Sequence, residues 1–233
     1  MLFRSVSLLG TADLDFWKDR LEAEDLAPAE RDGNAQLLIV AAEMRFMGVR
    51  FRELSFSVLV RPKQAGLSED GAFLVQAFNS CRLLAFFERV LFSTPYRFGD
   101  VRVSVSFPAS ILLSQLGEVV FQATMELIAA TPNRQPARSD NGGWEGPIFL
   151  PSQGRDRDQG RLFFGRIKGH TQTYPFLPSS DAVMIRPSPG SEVLQSLIDS
   201  HFVGQEFVIR QDATHARSKT YKRSEVFAGW PGG

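Results

Sequence analysis

Two periods alternate along the chain. Apolar residues at every second position predict a half-buried strand; apolar residues three and four apart predict a helix. The stretch "RFRELSFSVLV" shows the first period most clearly. Leu54, Phe56, Val58 and Val60 share one face, and Glu53, Ser55 and Ser57 share the other. "VRVSVSF" repeats it with Val101, Val103, Val105 and Phe107. "NAQLLIVAAEMRF", after the turn signal Asp32-Gly33-Asn34, is a further strand, as are "GAFLVQAF", "EVVFQATMELIAA", "RLFFGRIKG", "DAVMIRPS" and "EFVIRQDA". The helical period appears three times. "ADLDFWKDRLEAE" carries Leu14, Trp17 and Leu21, with Thr11 or Asp13 as its cap. "SCRLLAFFERVLF" carries a Leu84, Phe87 and Leu91 stripe behind the N-cap candidate Ser80. "SEVLQSLIDSHF" starts at Ser191, carries Val193, Leu194, Leu197 and Ile198, and ends near Gly204.

Many strands and few helices predict a mainly β fold, a single antiparallel β-barrel or sandwich with the 80–92 helix covering or plugging one side. A closed barrel of moderate size holds one small ligand. Residues 131–160, rich in Pro, Gly, Arg and Asp, read as a long loop excursion. The strands before and after it look alike, so one domain over 1–233 is expected.

Charge narrows the function classes. Lys plus Arg and Asp plus Glu both number 26, so the net charge points neither to nucleic acid nor to an anionic membrane. The basic tail "HARSKTYKRSEVF" reads as a solvated charge run. A single cysteine, Cys81, excludes an internal disulfide and a cysteine-based zinc cluster, and the three histidines lack metal-ligand spacing. No metal and no cofactor are expected. No apolar run approaches the ~18 residues of a membrane span, and the N-terminal stretch has no signal-peptide core, so a cytoplasmic location is expected. Only five residues are lysines: Lys18, Lys63, Lys168, Lys219 and Lys222. An amine nucleophile would have to be one of these or the N-terminus.

The segments "VRFRELSFSVLV" and "GAFLVQAFNSCRLLAFFERVLFSTPYRFGDVRVSVSF" resemble the acetoacetate decarboxylase-like β-barrel family, over about residues 15–107 and only at strand level beyond. The shared features are an aromatic-x-Glu opening a strand and a helix with Glu before a proline-led junction. The resemblance implies a barrel around a small-molecule pocket. Decarboxylating members carry two lysines directly after that proline; the amine attacks a ketone and the iminium accepts the electrons released with CO₂. Here Tyr96 and Arg97 follow Pro95, and the interval from Glu88 to Pro95 is about two residues longer than the family's. A phenol and a guanidinium form no iminium. The resemblance therefore carries over a pocket without its nucleophile.

Each candidate has a functional and a plain reading. Tyr96, a catalytic proton carrier, would otherwise fill the barrel wall. Arg97 would grip a carboxylate with its planar fork or point to solvent. Glu53 and Ser55, which the resemblance and the alternation place together, line either a pocket or the solvent face. Glu88, also a catalytic candidate, lies beside the apolar stripe and needs a cation, Arg97 or Arg102. Lys168, with Arg166 and His170 on the same strand face, is the one lysine placed for a relocated Schiff base, against the plainer reading of an exposed strand lysine. The leading expectation is a barrel that binds a small carboxylate or carbonyl compound, working as a non-Schiff-base lyase or isomerase if it is an enzyme. The alternatives are a binding module for an apolar metabolite and an interaction protein using the 131–160 excursion. The partner is a small-molecule ligand, with no nucleic acid or membrane, and a homo-oligomer is compatible with the sequence.

Overall fold

The computed structural model describes residues 2–46, 48–63, 70–126, 134–152 and 160–227. Strand β1 (Leu2–Asp13) runs directly into α1 (Leu14–Glu22). Asp13 makes the break, because its side chain accepts the Phe16 amide at 2.7 Å and supplies one missing helix-start bond. Short strands β2 (Leu26–Pro28) and β3 (Glu30–Arg31) follow. The turn at Asp32 and Gly33 then has φ of 52° and 76°, the hand that matches strand twist, and it feeds β4 (Asn34–Phe46). Next come β5 (Val49–Pro62), β6 (Gly71–Asn79), α2 (Arg82–Leu91), β7 (Tyr96–Phe98), β8 (Asp100–Ser104), β9 (Ala109–Gln115) and β10 (Glu118–Met125). The rest is β11 (Arg138–Asp140), β12 (Gly143–Leu150), β13 (Arg161–Gly169), β14 (Thr171–Pro175), β15 (Ala182–Ile185), α3 (Glu192–Asp199), β16 (Val203–Arg217), β17 (Tyr221–Lys222) and α4 (Arg223–Phe227).

Seven strands close on themselves in the order β16, β1, β4, β5, β6, β12, β13 and back to β16. Six of these contacts are antiparallel; the β6–β12 contact is parallel. The fold is mainly β as expected, but the barrel is mixed and not a single antiparallel sheet. The reason lies in the connection: between β6 and β12 the chain leaves the wall for α2 and the strands β7 to β11, and such a long crossover lets the next strand return in the same direction.

The loop reading of 131–160 needs a second correction. Residues 143–150 are wall strand β12, paired along its whole length with β13. Of the remainder, 131–133 and 153–159 lie outside the described residues.

A second sheet, in the order β15, β10, β9, β8, packs on the barrel. The two faces of the wall differ in what covers them. Val6 and Leu8 of β1, Ile39 and Ala41 of β4, and Leu54, Phe56 and Val58 of β5 are buried in one cluster with Ile111, Leu113 and Phe121 of the second sheet and Trp17 and Leu21 of α1. Phe56 meets Phe121 edge to face at 5.3 Å and Phe78 at 6.1 Å. This is the outer face, and the main core is a sleeve around the barrel. Strand alternation turns the remaining set inward: Ser5 and Ser7, Val40 and Ala42, Glu53 and Ser55, and across the barrel Phe163 and Arg217. Val40, Glu53 and Ser55 keep part of their surface accessible, while their outward neighbours Ile39, Leu54 and Phe56 are buried.

Helix α3 is anchored as its pattern predicts, by buried Val193, Leu194 and Leu197, with Ile198 half-buried. It ends at Ser200, before Gly204. Helix α2 departs from its pattern. Ser80 does not cap it, because its hydroxyl accepts the Arg52 amide of β5 at 2.8 Å; Cys81 occupies the cap position without a side-chain bond. Only Ala85 of the helix is buried.

Candidate functional site

Strand β7 places Tyr96. It runs parallel to the C-terminal half of β6, with Tyr96 opposite Ala77, and Ala77 in turn lies opposite Ser55 on β5. Glu53 is two residues along on the same face, so the Tyr96 hydroxyl donates to Glu53 Oε1 diagonally across the sheet. Tyr96 is buried against Leu74, Ala77, Leu150 and Phe163. Glu53 is half-buried and surrounded by protein. Taking a carboxylate out of water favours its neutral form, and that desolvation pushes Glu53 up to about 7. The Tyr96 hydrogen bond opposes this, the Glu88 charge adds to it, and the Arg217 charge opposes it. Burial and the neighbouring Glu53 charge raise the Tyr96 phenol well above its ordinary value, so it stays a donor.

Glu88 reaches the same region from α2. Both of its oxygens accept from Arg217 Nη1 at 3.0 Å, and Oε2 also accepts from the Thr94 hydroxyl at 3.2 Å. Its cation is therefore Arg217, and not Arg97 or Arg102; Arg102 pairs with Asp100 at 3.2 Å on the surface. The Arg217 guanidinium lies over the Phe163 ring at 4.0 Å and the Phe92 ring at 5.1 Å. Its Nη2 is buried with no hydrogen-bond partner among the described residues, and the same holds for Ser5 Oγ. Ser5 shares a row with Glu53, since Ala42 lies opposite both. Glu53 on β5 and Arg217 on β16 are three strands apart, roughly 14 Å along the wall. Their electrostatic coupling runs across the barrel interior. His215, two residues before Arg217 on β16, packs edge to face with Phe3 at 6.1 Å, and its pKa is lowered by burial and the Arg217 charge.

The structure thus brings together Glu53, Tyr96 and Glu88, with Ser55 beside them on the inner face; the Ser55 hydroxyl donates to the Val40 carbonyl at 3.5 Å. It does not bring in Arg97 or Lys168. Along β7 the pleat that turns Tyr96 inward turns Arg97 outward, where it is exposed beside Gly190. Lys168 is exposed on β13, opposite Gly143 and Thr214. All five lysines are exposed. The residue missed from the sequence is Arg217, hidden in the basic tail. The tail is not a solvated run: Arg217 holds Glu88, and buried Arg223 bonds the Glu24 side chain at 3.0 Å and the Leu150 carbonyl at 2.8 Å. The alternation of Ala213, His215 and Arg217 on one face is the signal that places Arg217 inside.

Two surface hollows lie elsewhere. One, of about 630 Å³, is bordered by Arg4, Ser106, His170 and Asp212; the other, of about 420 Å³, runs along 187–195. Neither touches Glu53. Among the described residues no cluster of His, Cys, Asp and Glu has a metal-binding arrangement, and no helix is long and apolar enough to cross a membrane.

No family model matches the sequence, and no curated protein matches it. Solved structures do. One described as structural studies of acetoacetate decarboxylase superposes with a TM-score of 0.64 at 14% identity, over 95% of this chain and 88% of that one. Acetoacetate decarboxylase from Legionella pneumophila gives 0.61 at 15% identity, over 95% and 87%. The enduracididine biosynthesis enzyme MppR complexed with pyruvate gives 0.60 at 14% identity, over 94% and 89%. These likenesses show that the chain has the fold of the acetoacetate decarboxylase-like β-barrels.

Proposed function

We propose that the barrel interior binds a small carboxylate or carbonyl compound and that Glu53 exchanges a proton with it. The observation that carries this reading is the inward-facing Glu53, held by the Tyr96 hydroxyl and raised to about 7. A carboxyl group with that value is partly protonated and partly ionised at neutral pH, the condition under which it serves as acid or base with similar ease. Tyr96 keeps its proton and orients Glu53. Arg217, held by Glu88, whose Oε2 also accepts from Thr94, supplies the positive charge that favours a substrate carboxylate or an enolate-like oxygen. In this reading Tyr96 and Glu88 act with Glu53, while Arg97 and Lys168 stay outside the site. With every lysine exposed, the chemistry is proton transfer next to a carbonyl, of the lyase or isomerase kind, without an iminium. Leu74, Leu150 and Phe163 beside Tyr96 favour a second reading, a non-catalytic module for a largely apolar metabolite.

Pyruvate, which is bound in the MppR structure, serves as the probe. In D₂O near pH 7, proton NMR should show faster loss of the pyruvate methyl signal with the wild-type protein than in buffer, and no gain with Glu53→Gln. Borohydride should leave the intact mass unchanged. Pyruvate binding without exchange, abolished by Arg217→Met, would keep the carboxylate site and remove the proton transfer, whereas no pyruvate binding at all would favour the second reading. A reduced adduct on a lysine would contradict the absence of an iminium.

A further inference from the structure

Helix α2 is turned the wrong way for a surface helix. At 100° per residue, Leu83, Phe86, Phe87 and Val90 fall within one arc about 100° wide, with Leu91 at its edge. That arc faces solvent: Leu83 is 60% exposed, Phe86 49%, Val90 54% and Leu91 63%. Phe87 is 40% exposed. The polar Glu88 points inward to Arg217. The two exposed cations of the helix stand at one flank of the arc. Arg82 lies over the Phe98 ring at 4.6 Å, so it is already turned away from the apolar surface. Among the described residues nothing covers this arc.

The five large apolar side chains Leu83, Phe86, Phe87, Val90 and Leu91, each about half open, expose on the order of 500 Å². That is the size of the largest apolar patch on a typical soluble monomer, about 300–600 Å², which is often a functional surface. It also matches what a standard interface supplies from one side, about 800 Å² per partner, of which a little over half is apolar. A ten-residue helix is about 15 Å long, which suits a self-complementary crossing of two copies of the same short element.

We propose that the exposed face of α2 is the interface between two copies of this chain, packed helix against helix about a two-fold axis. The apolar arcs form its centre, and Arg82 and Arg89 stay at the wet rim. The proposal does not depend on what the barrel binds.

Sedimentation velocity and light scattering of the full chain at micromolar concentration should give twice the chain mass of 26.0 kDa. The double variant Leu83→Glu/Val90→Glu should halve that mass while leaving the far-ultraviolet circular dichroism unchanged, since both side chains are exposed. Should that variant misfold, Phe86→Cys in a Cys81→Ser background provides the second test: a short bismaleimide should link it to a covalent dimer in high yield, and the Cys81→Ser parent should stay single. A wild-type monomer at high micromolar concentration would overturn the proposal, as would a dimer that survives the double substitution. Flotation of that monomer with phosphatidylserine vesicles would instead assign the face to a membrane surface.

Discussion

On the inner wall of the barrel, Glu53, Ser5 and Ser55 take places that a core usually gives to Leu and Val. On α2, Leu83, Phe86, Val90 and Leu91 take places that a surface usually gives to Lys and Glu. The first inversion is held by pairing: Tyr96 donates to Glu53, and Arg217 and Thr94 donate to Glu88. The second has no such compensation within the described residues. One element links them, because α2 turns Glu88 inward and its apolar arc outward. The comparison teaches that the stability of this fold resides in the outer sleeve. The interior is thereby free to carry polar chemistry, and the helix that supports that chemistry is left with an apolar back.

The contrast is sharpest at two adjacent residues of β5, Phe56 and Ser55, which face opposite sides of the wall. Phe56→Ala should cost about 4 kcal/mol, because it opens a cavity beneath Phe78 and Phe121. Ser55→Ala should stay within about 0.5 kcal/mol, as its one hydrogen bond is long. Chemical denaturation of both variants measures the difference, and equal losses would break the division into sleeve and interior.

The next effect is a pH dependence. The folded protein keeps the Glu53 proton up to about pH 7, whereas an ordinary glutamate releases it near 4.5. Between these values the folded state binds more protons than the unfolded one, so rising pH favours unfolding. The stability that the Glu53 proton contributes is complete below about pH 4.5 and lost as pH passes through 7. At 1.36 kcal/mol per unit this amounts to about 3 kcal/mol. Glu53→Gln should remove that decline, so its stability relative to wild type should improve steadily from acid to neutral pH. Parallel curves for the two proteins would contradict the raised carboxyl.

Arg217→Met should cost about 2 kcal/mol by leaving the half-buried Glu88 charge without its partner. Adding Glu88→Gln should restore most of it, and a double-mutant cycle with no coupling would detach Glu88 from the site. The smallest effect is expected at the apolar arc, where Val90→Glu alone should change monomer stability by no more than about 0.5 kcal/mol. A larger loss would mean that the arc is packed against the chain's own residues.

Period two and period 3.6 made most of the elements legible, because β1, β4 and β5 bury outward residues such as Leu8, Ile39 and Phe56 against the sleeve. Strand β12 was hidden by composition. "GGWEGPIFL" carries three glycines and a proline, and these suit close packing as well as they suit a turn: a Cβ on Gly143 would meet the Ile167 carbonyl at 2.4 Å. Pairing with β13 decides that segment, and pairing over a distance leaves no local period. At the site, the resemblance and the alternation brought Glu53, Tyr96 and Glu88 forward. Arg97 followed from its place after Pro95, where the family carries its second lysine, and the pleat separates it from Tyr96. Arg217 stayed out of view because a basic tail resembles a solvated one until β16 is seen to curve back into the wall. The outward turn of α2 was equally hidden, since an apolar stripe reads the same whether it faces its own core or another chain.

The most direct test of the account is the titration of Glu53 itself. Carbon-13 NMR of protein labelled at the glutamate side-chain carboxyl should show one resonance with a midpoint near 7, absent from Glu53→Gln. In Tyr96→Phe that midpoint should rise further, because the lost hydrogen bond favours the carboxylate. If every glutamate titrates near its ordinary value of 4.5, and Tyr96→Phe moves none of them, Glu53 is not the buried acid–base group on which the proposed function rests.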